Sequence, residues 1–260
     1  MTEVKYRNVI LFMGSIYFYA YGEPVYVLLL MASAVLNFQV GKRLDIKKKT
    51  AKTKRKILFW ITVAGDAAFL VFFKFVPEIS LADIKLGMPL GISFYTFQVI
   101  SYLTDVYRGD IRAEYSFVRL GTYISMFPKL MSGPIVNYSE VSKELKYRKC
   151  TLAAADSGLK KFVWGLSLKV LLADRLAILW HEIQTTGFDS ISTPLAWMGA
   201  FGYSMQIYFD FYGYSLMAVG LGEMLGFSLP ENFDLPYMAK SVREFYRRWH
   251  MTLGRWFKNY

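Results

Sequence analysis

Apolar runs alternate along this chain with short polar segments, and lysine and arginine collect in every second polar segment. Residues 8–22, 24–40, 57–76, 87–104, 159–180 and about 200–225 each approach the ~20 apolar residues that cross a bilayer. The first two are short enough to imply tilt or a thin membrane. At 54% hydrophobic residues the chain exceeds the ~45–50% usual for a soluble protein. The proposed outer loops hold Lys85 alone, and the inner segments hold nearly every other basic residue. That asymmetry places the N-terminus, the 41–56 loop and the C-terminal helix on the cytoplasmic side. Nine Lys and Arg fall between Lys42 and Lys56 against one acid, Asp45, as suits a loop beside anionic headgroups; a dedicated partner-binding loop is the alternative. The net charge of +11 is therefore assigned to a membrane surface, and nucleic acid is excluded as a partner.

The expected fold is all-α: a single polytopic membrane domain over 1–260, with about six spanning helices. Residues 116–137 break the pattern, because Pro128, Lys129, Gly133 and Pro134 interrupt an apolar run whose flanks are both basic. Irregular backbone at membrane depth survives only where protein buries it or where it lines a cavity. The segment is read as re-entrant, with a kinked spanning helix as the alternative. Residues 138–158 read as a cytoplasmic helix. Residues 239–258 read as an interfacial amphipathic helix, with Val242, Phe245, Trp249, Leu253 and Trp256 on its apolar face and arginines elsewhere. The helix before it should end near Gly226.

Ionisable residues inside the apolar runs are functional candidates by default. Lys74 can snorkel to the interface. Asp66 needs a partner that the sequence does not name. Lys169, Asp174 and Arg175 sit in one apolar helix; Asp174 can meet Lys169 or Arg175, but adjacent residues do not face each other, so other elements are the expected partners. Tyr203, Gln206, Asp210 and Gly213 share one face of a helix. The alternative for Asp210 is a structural anchor between helices. His181 reads as an ordinary histidine of an outer loop. The single cysteine, Cys150, allows no internal disulfide, and no spacing of the two histidines suggests a metal site.

Several ordered blocks carry a family resemblance. They are Gly91-Ile92-Ser93-Phe94 with Asp105-Val106-Tyr107-Arg108, Phe127-Pro128 with Ser132-Gly133-Pro134-Ile135, and Ala173-Asp174-Arg175-Leu176. They continue in Gln206-Ile207-Tyr208-Phe209-Asp210-Phe211, Leu229-Pro230-Glu231-Asn232-Phe233 and Arg247-Arg248-Trp249-His250. Together they resemble the membrane-bound O-acyltransferase family, most of all its bacterial polysaccharide O-acetylation branch. The resemblance implies transfer of an acyl group from a cytoplasmic thioester, acetyl-CoA or another, with no bound cofactor. It also implies a lipid bilayer around the chain and an extracytoplasmic relay protein that accepts the acetyl group. His250 is carried over as a supporting or tunnel-lining residue. Asp210, Gln206, Asn232, Arg247 and Arg248 are the candidates for binding substrate or donor, although anionic lipid suits the arginines equally and Asn232 also reads as a turn former.

In the family the principal histidine lies on a later membrane segment, and an earlier hydrophobic segment is usual. The resemblance therefore implies a portion of a longer protein. Competing readings are D-alanyl transfer to lipoteichoic acid, an inactive truncated scaffold, and a transporter or channel, which buried carboxylates and broken helices also fit. The transporter reading would expect internal symmetry, and none is found.

Overall fold

The computed structural model describes residues 3–46, 52–75, 79–81, 84–187 and 190–260. The chain divides into two compact units. One comprises Met1–Met131, Ile135–Lys149 and Arg255–Tyr260; the other comprises Ser132–Pro134 and Cys150–Gly254.

The first unit holds α1 (Val4–Gly22), α2 (Tyr26–Ile46), α3 (Lys52–Phe75), α4 (Ile92–Arg108), α5 (Phe117–Ser125), α6 (Phe127–Leu130) and α7 (Tyr138–Tyr147). A two-stranded antiparallel hairpin, β1 (Ile79–Leu81) with β2 (Ile84–Leu86), sets Ile79 opposite Leu86. By length and hydropathy α2 and α3 can cross a membrane; their mean hydropathies are 1.3 and 1.8. Helix α4 is the core element, with eleven of its seventeen residues buried, polar Thr96, Gln98 and Ser101 among them. It starts after Gly91, whose left-handed φ of 72° and whose approach to the Leu130 carbonyl both require glycine. Buried polar groups stitch the unit together. Asn37 of α2 donates to Asp66 of α3 at 3.4 Å, which supplies the partner that Asp66 lacked in the sequence. Lys129 of α6 is fully buried, donates to Gln98 Oε1 at 2.6 Å and lies over the Tyr123 ring at 4.4 Å. The irregular segment around it is thus buried in protein.

The second unit is built on two facing runs. Helix α8 (Leu152–Ser167) passes through a π-helical stretch, Leu168–Ala173, into α9 (Asp174–Thr186). Both pack against α10 (Thr193–Met224). The 32 residues of α10 extend ~48 Å at 1.5 Å per residue, more than the ~30 Å of a hydrocarbon core. Glycines set the approach. A Cβ on Gly158 would lie 2.5 Å from the Gly220 carbonyl oxygen, and one on Gly213 would lie 2.6 Å from that of Gly165. The four glycines stand seven residues apart on each helix and meet in antiparallel order, so backbone touches backbone. After α10 come a short 3₁₀ turn at Pro236–Met238, α11 (Val242–Arg248) and α12 (Met251–Asn259).

The described residues are helical, as expected of an all-α fold, apart from the short β1–β2 hairpin. Five expectations are corrected. The 41–56 loop is mostly helix: α2 continues to Ile46 and α3 begins at Lys52, while 47–51 lie outside the described residues. Residues 138–158 form two helices, because Arg148 turns extended and buries its side chain on Asn8, and Thr151 caps α8 by accepting from Ala154 N at 3.1 Å. The run expected over 159–180 therefore starts at Leu152 and continues to Thr186. His181 consequently lies on a helix, with its carbonyl accepting from Thr185 Oγ1 at 3.1 Å. Finally, 239–258 is two helices, since His250 adopts a left-handed φ of 43°. The continuous apolar face is lost with it, and Val242 is 74% exposed.

Gly165→Ala should lower the thermal midpoint of the purified protein in detergent, by overpacking worth about 1–3 kcal/mol. Gly14→Ala, where a Cβ meets nothing within 4 Å, should hold or raise the midpoint, since alanine is favoured in a helix by ~1 kcal/mol. Equal shifts in the two variants would contradict the close helix contact.

Candidate functional site

The break between α11 and α12 is a built feature. Ser241 Oγ accepts from Glu244 N at 3.2 Å, and Glu244 Oε2 accepts from Lys240 N at 2.9 Å, a reciprocal cap that starts α11. The helix ends as Trp249 N donates to the Phe245 carbonyl at 2.9 Å. His250 then turns left-handed, a conformation that side-chain-bearing residues hold only when their surroundings enforce it. Two backbone bonds from the 232–234 loop do so. Asp234 N donates to the Arg248 carbonyl at 3.0 Å, and Met251 N donates to the Asn232 carbonyl at 2.9 Å. They grip the chain on both sides of His250.

The same loop addresses the imidazole. Asn232 is 2% exposed, and its Oδ1 lies 3.1 Å from His250 Nδ1, 2.6 Å from Thr252 Oγ1 and 3.4 Å from Thr252 N. The ring stands edge-on to Phe211 of α10, with centroids 4.8 Å apart. Phe233, also buried, packs on Phe211 and on Trp249 at 5.1 and 5.0 Å. Burial pushes the imidazole down to about 4, so His250 is neutral near pH 7. A neutral imidazole has one nitrogen lone pair free to accept a proton or a hydrogen bond.

The arginines divide by role. Arg248 is ion-paired with Glu244 at 2.9 Å and lies 3.5 Å from Asp234. The Lys240 backbone N–H, with Arg248 beside it, holds the Glu244 carboxyl below the usual range. Arg243 and Arg247 form no ion pair among the described residues. They line a hollow of about 430 Å³ together with Ser241, Glu244, Asp234 and Arg248. Fixed acids thus take up one guanidinium and leave two open to an outside anion.

Asp210 and Gln206 belong elsewhere on α10. Asp210 accepts from Lys169 Nζ at 2.6 Å, and Lys169 also meets Asp174 at 3.2 Å. The π-helical stretch explains the second contact, because i→i+5 bonding brings residues five apart onto one side. Gln206 Oε1 is buried without a hydrogen-bond partner among the described residues, and Tyr203 stacks on Trp180 at 4.7 Å. The polar stripe therefore faces the α8–α9 run. Among the described residues neither Asp210 nor Gln206 bonds to His250, Asn232 or the arginines; the neighbouring Phe211 does the touching. The structure brings together His250 with Asn232, and Arg247 with Arg248. It adds Thr252, Phe211, Arg243, Glu244 and Lys169, of which the sequence marked Lys169 as an ionisable residue in an apolar run and Phe211 within a family block. No three His, Cys, Asp or Glu side chains gather into a possible metal site among the described residues.

The chain is 35% identical to a probable alginate O-acetylase of Pseudomonas aeruginosa, over all of this chain and 52% of that protein. It is 33% identical to a peptidoglycan O-acetyltransferase of Helicobacter pylori, over 96% of this chain and 54% of the relative. A teichoic acid D-alanyltransferase of Bacillus subtilis is 31% identical over 66% of this chain and 44% of its own length. The chain thus spans about half the length of the curated relatives it matches. The description "membrane-bound O-acyltransferase family" matches residues 108–260, which include both facing runs and the whole His250 cradle. By that match, over more than half of its length, the chain belongs to the membrane-bound O-acyltransferase family.

Proposed function

We propose that this chain forms part of a membrane O-acyltransferase that passes acetyl groups from a cytoplasmic thioester, acetyl-CoA or another, toward an extracellular polysaccharide. The observation that carries the reading is the cradle around His250: a neutral imidazole in an enforced turn, within the region that matches the family. The whole-chain similarity to an alginate O-acetylase favours acetyl over other acyl groups. D-alanyl transfer is the second reading, favoured by the teichoic acid relative over a smaller share of the chain.

The proposed arrangement has about six spans and a re-entrant element at 116–137. The N-terminus and the α11–α12 pair face the cytoplasm, and an external relay protein receives the acetyl group. In the reaction, an acceptor oxygen attacks the thioester carbonyl, the new C–O bond forms and the C–S bond breaks. The hydroxyl proton goes to a base and the thiolate leaves. His250 supports that step by accepting a hydrogen bond from the hydroxyl, which a permanently charged imidazolium would not do. Arg243 and Arg247 receive the donor's anionic groups; Arg248 keeps α11 against the 234 loop. Asp210, Gln206 and Asn232 act behind the reacting atoms, Asp210 by holding Lys169.

Two outcomes follow in the intact protein. His250→Ala, and His250→Gly, which keeps the left-handed turn, should each cut polymer O-acetylation at least about tenfold at equal protein level, since positioned acid–base groups contribute ~10²–10⁴. His181→Ala should leave it unchanged. Normal acetylation in His250→Gly would remove the ring from the site. Replacing both Arg243 and Arg247 by glutamine should raise the KM for the donor several-fold with kcat held, as loss of ground-state binding does. A fall in kcat alone would place these arginines in the chemistry instead.

A further inference from the structure

We infer that Asn232 is a positioning residue that fixes the tautomer of His250, holding the proton on Nδ1 and leaving the Nε2 lone pair open. The role of that lone pair in acyl transfer rests on the function proposed above; the tautomer itself does not.

Asparagine oxygen and nitrogen are told apart by their partners. The backbone N–H of Thr252 can only donate, and it faces the Asn232 side chain at 3.4 Å. The atom facing it is therefore the oxygen. The Thr252 hydroxyl points at the same atom from 2.6 Å, and its proton completes the bond. A flipped amide would set N–H against N–H there. With the oxygen fixed, the atom 3.1 Å from His250 Nδ1 is an acceptor with no hydrogen to give. Two lone pairs at that distance repel, so Nδ1 carries the hydrogen. In a neutral imidazole the other nitrogen, Nε2, then has none.

The backbone supports the assignment. Asn232 is 2% exposed, its carbonyl accepts from Met251 N at 2.9 Å, and Thr252 is also 2% exposed. The amide oxygen is therefore held on three sides by the segment that carries the imidazole. Phe211 packs at a steep angle against the ring and carries no nitrogen or oxygen to compete as an acceptor. The left-handed turn at His250 serves the same end. It brings residues 250 and 252 to one oxygen, which a continuous helix would not do.

These 260 residues hold two histidines, so ¹⁵N-histidine labelling of this chain in detergent gives two imidazoles, with His181→Gln assigning them. At pH 7.5 His250 should show Nδ1 in the protonated range and Nε2 in the unprotonated range. Asn232→Ala should move it toward the Nε2–H form that free histidine prefers in water. Asn232→Asp, which keeps an oxygen opposite Nδ1, should return a proton to Nδ1, as the Nδ1–H form or, because a carboxylate favours it, the imidazolium. A wild-type His250 protonated at Nε2 would overturn the proposal. So would a folded Asn232→Ala protein whose spectrum is unchanged. If Asn232→Ala does not fold, the wild-type spectrum still decides. None of these readings depends on acyl transfer, so loss of activity with the Nδ1–H form intact would count against the proposed function alone.

Discussion

A lysine ammonium held between two carboxylates, Lys169 with Asp210 and Asp174, sets the geometry of the second unit. A charge on an apolar helix is costly unless it is paired, and a pair forms only where two backbones come close. The glycines provide that closeness. Gly158 opposite Gly220 and Gly165 opposite Gly213 are successive rungs of one antiparallel ladder, and Lys169 opposite Asp210 is the next. The π-helical stretch begins beside Gly165 and turns Asp174 back onto the same ammonium. Any side chain larger than glycine on the ladder would separate the helices and leave the charges facing apolar surroundings. Small residues, widened turn and ion pair therefore depend on one another.

Helix α10 connects this arrangement to the site by rotation alone. Successive residues on a helix point ~100° apart. Asp210 faces the α8–α9 run while Phe211 faces His250. The ion pair thus fixes the rotation of α10 about its own axis, and that rotation decides which aromatic edge meets the imidazole. Asp210 was legible in the sequence as an intramembrane carboxylate, but its work is done on Lys169 rather than at the histidine. A carboxylate beside His250 would favour the imidazolium; burial, to which Phe211 contributes, favours the neutral ring.

Legibility in the sequence followed how locally each feature is determined. The apolar runs that became α1 to α4 and α10 were visible because an apolar run is read from composition alone. The end of α10 was visible at Gly226, whose φ of 82° few other residues adopt. The glycine ladder was present as seven-residue spacing on two segments, yet its meaning needs both segments at once. The break at His250 was not legible. Arg247-Arg248-Trp249-His250-Met251-Thr252 contains neither glycine nor proline, and every residue in it tolerates a helix. The break is imposed by backbone bonds to Asp234 and Asn232, fourteen and nineteen residues earlier in the chain than their partners Arg248 and Met251. The turn at Arg148 is the same kind of case, bought by the bond of its side chain to Asn8.

That break carries a physical argument of its own. A residue with a Cβ in the left-handed region costs about 1–2 kcal/mol, and glycine would relieve the cost. Histidine has no backbone advantage at position 250. Its ring, in turn, is directed by contacts that exist only in this conformation: Asn232 on one nitrogen and Phe211 on one edge. A surface histidine tolerates many rotamers, and nothing selects between its two nitrogens. Here the turn, the amide and the aromatic edge together select one. Such over-determination of a single imidazole suits the hydrogen-bonding role proposed for it, because proton transfer needs the right nitrogen within hydrogen-bond reach of the reacting group. The strained backbone and the fixed ring are thus one feature, and the loop Leu229-Pro230-Glu231-Asn232-Phe233-Asp234 is the part of the sequence that enforces both.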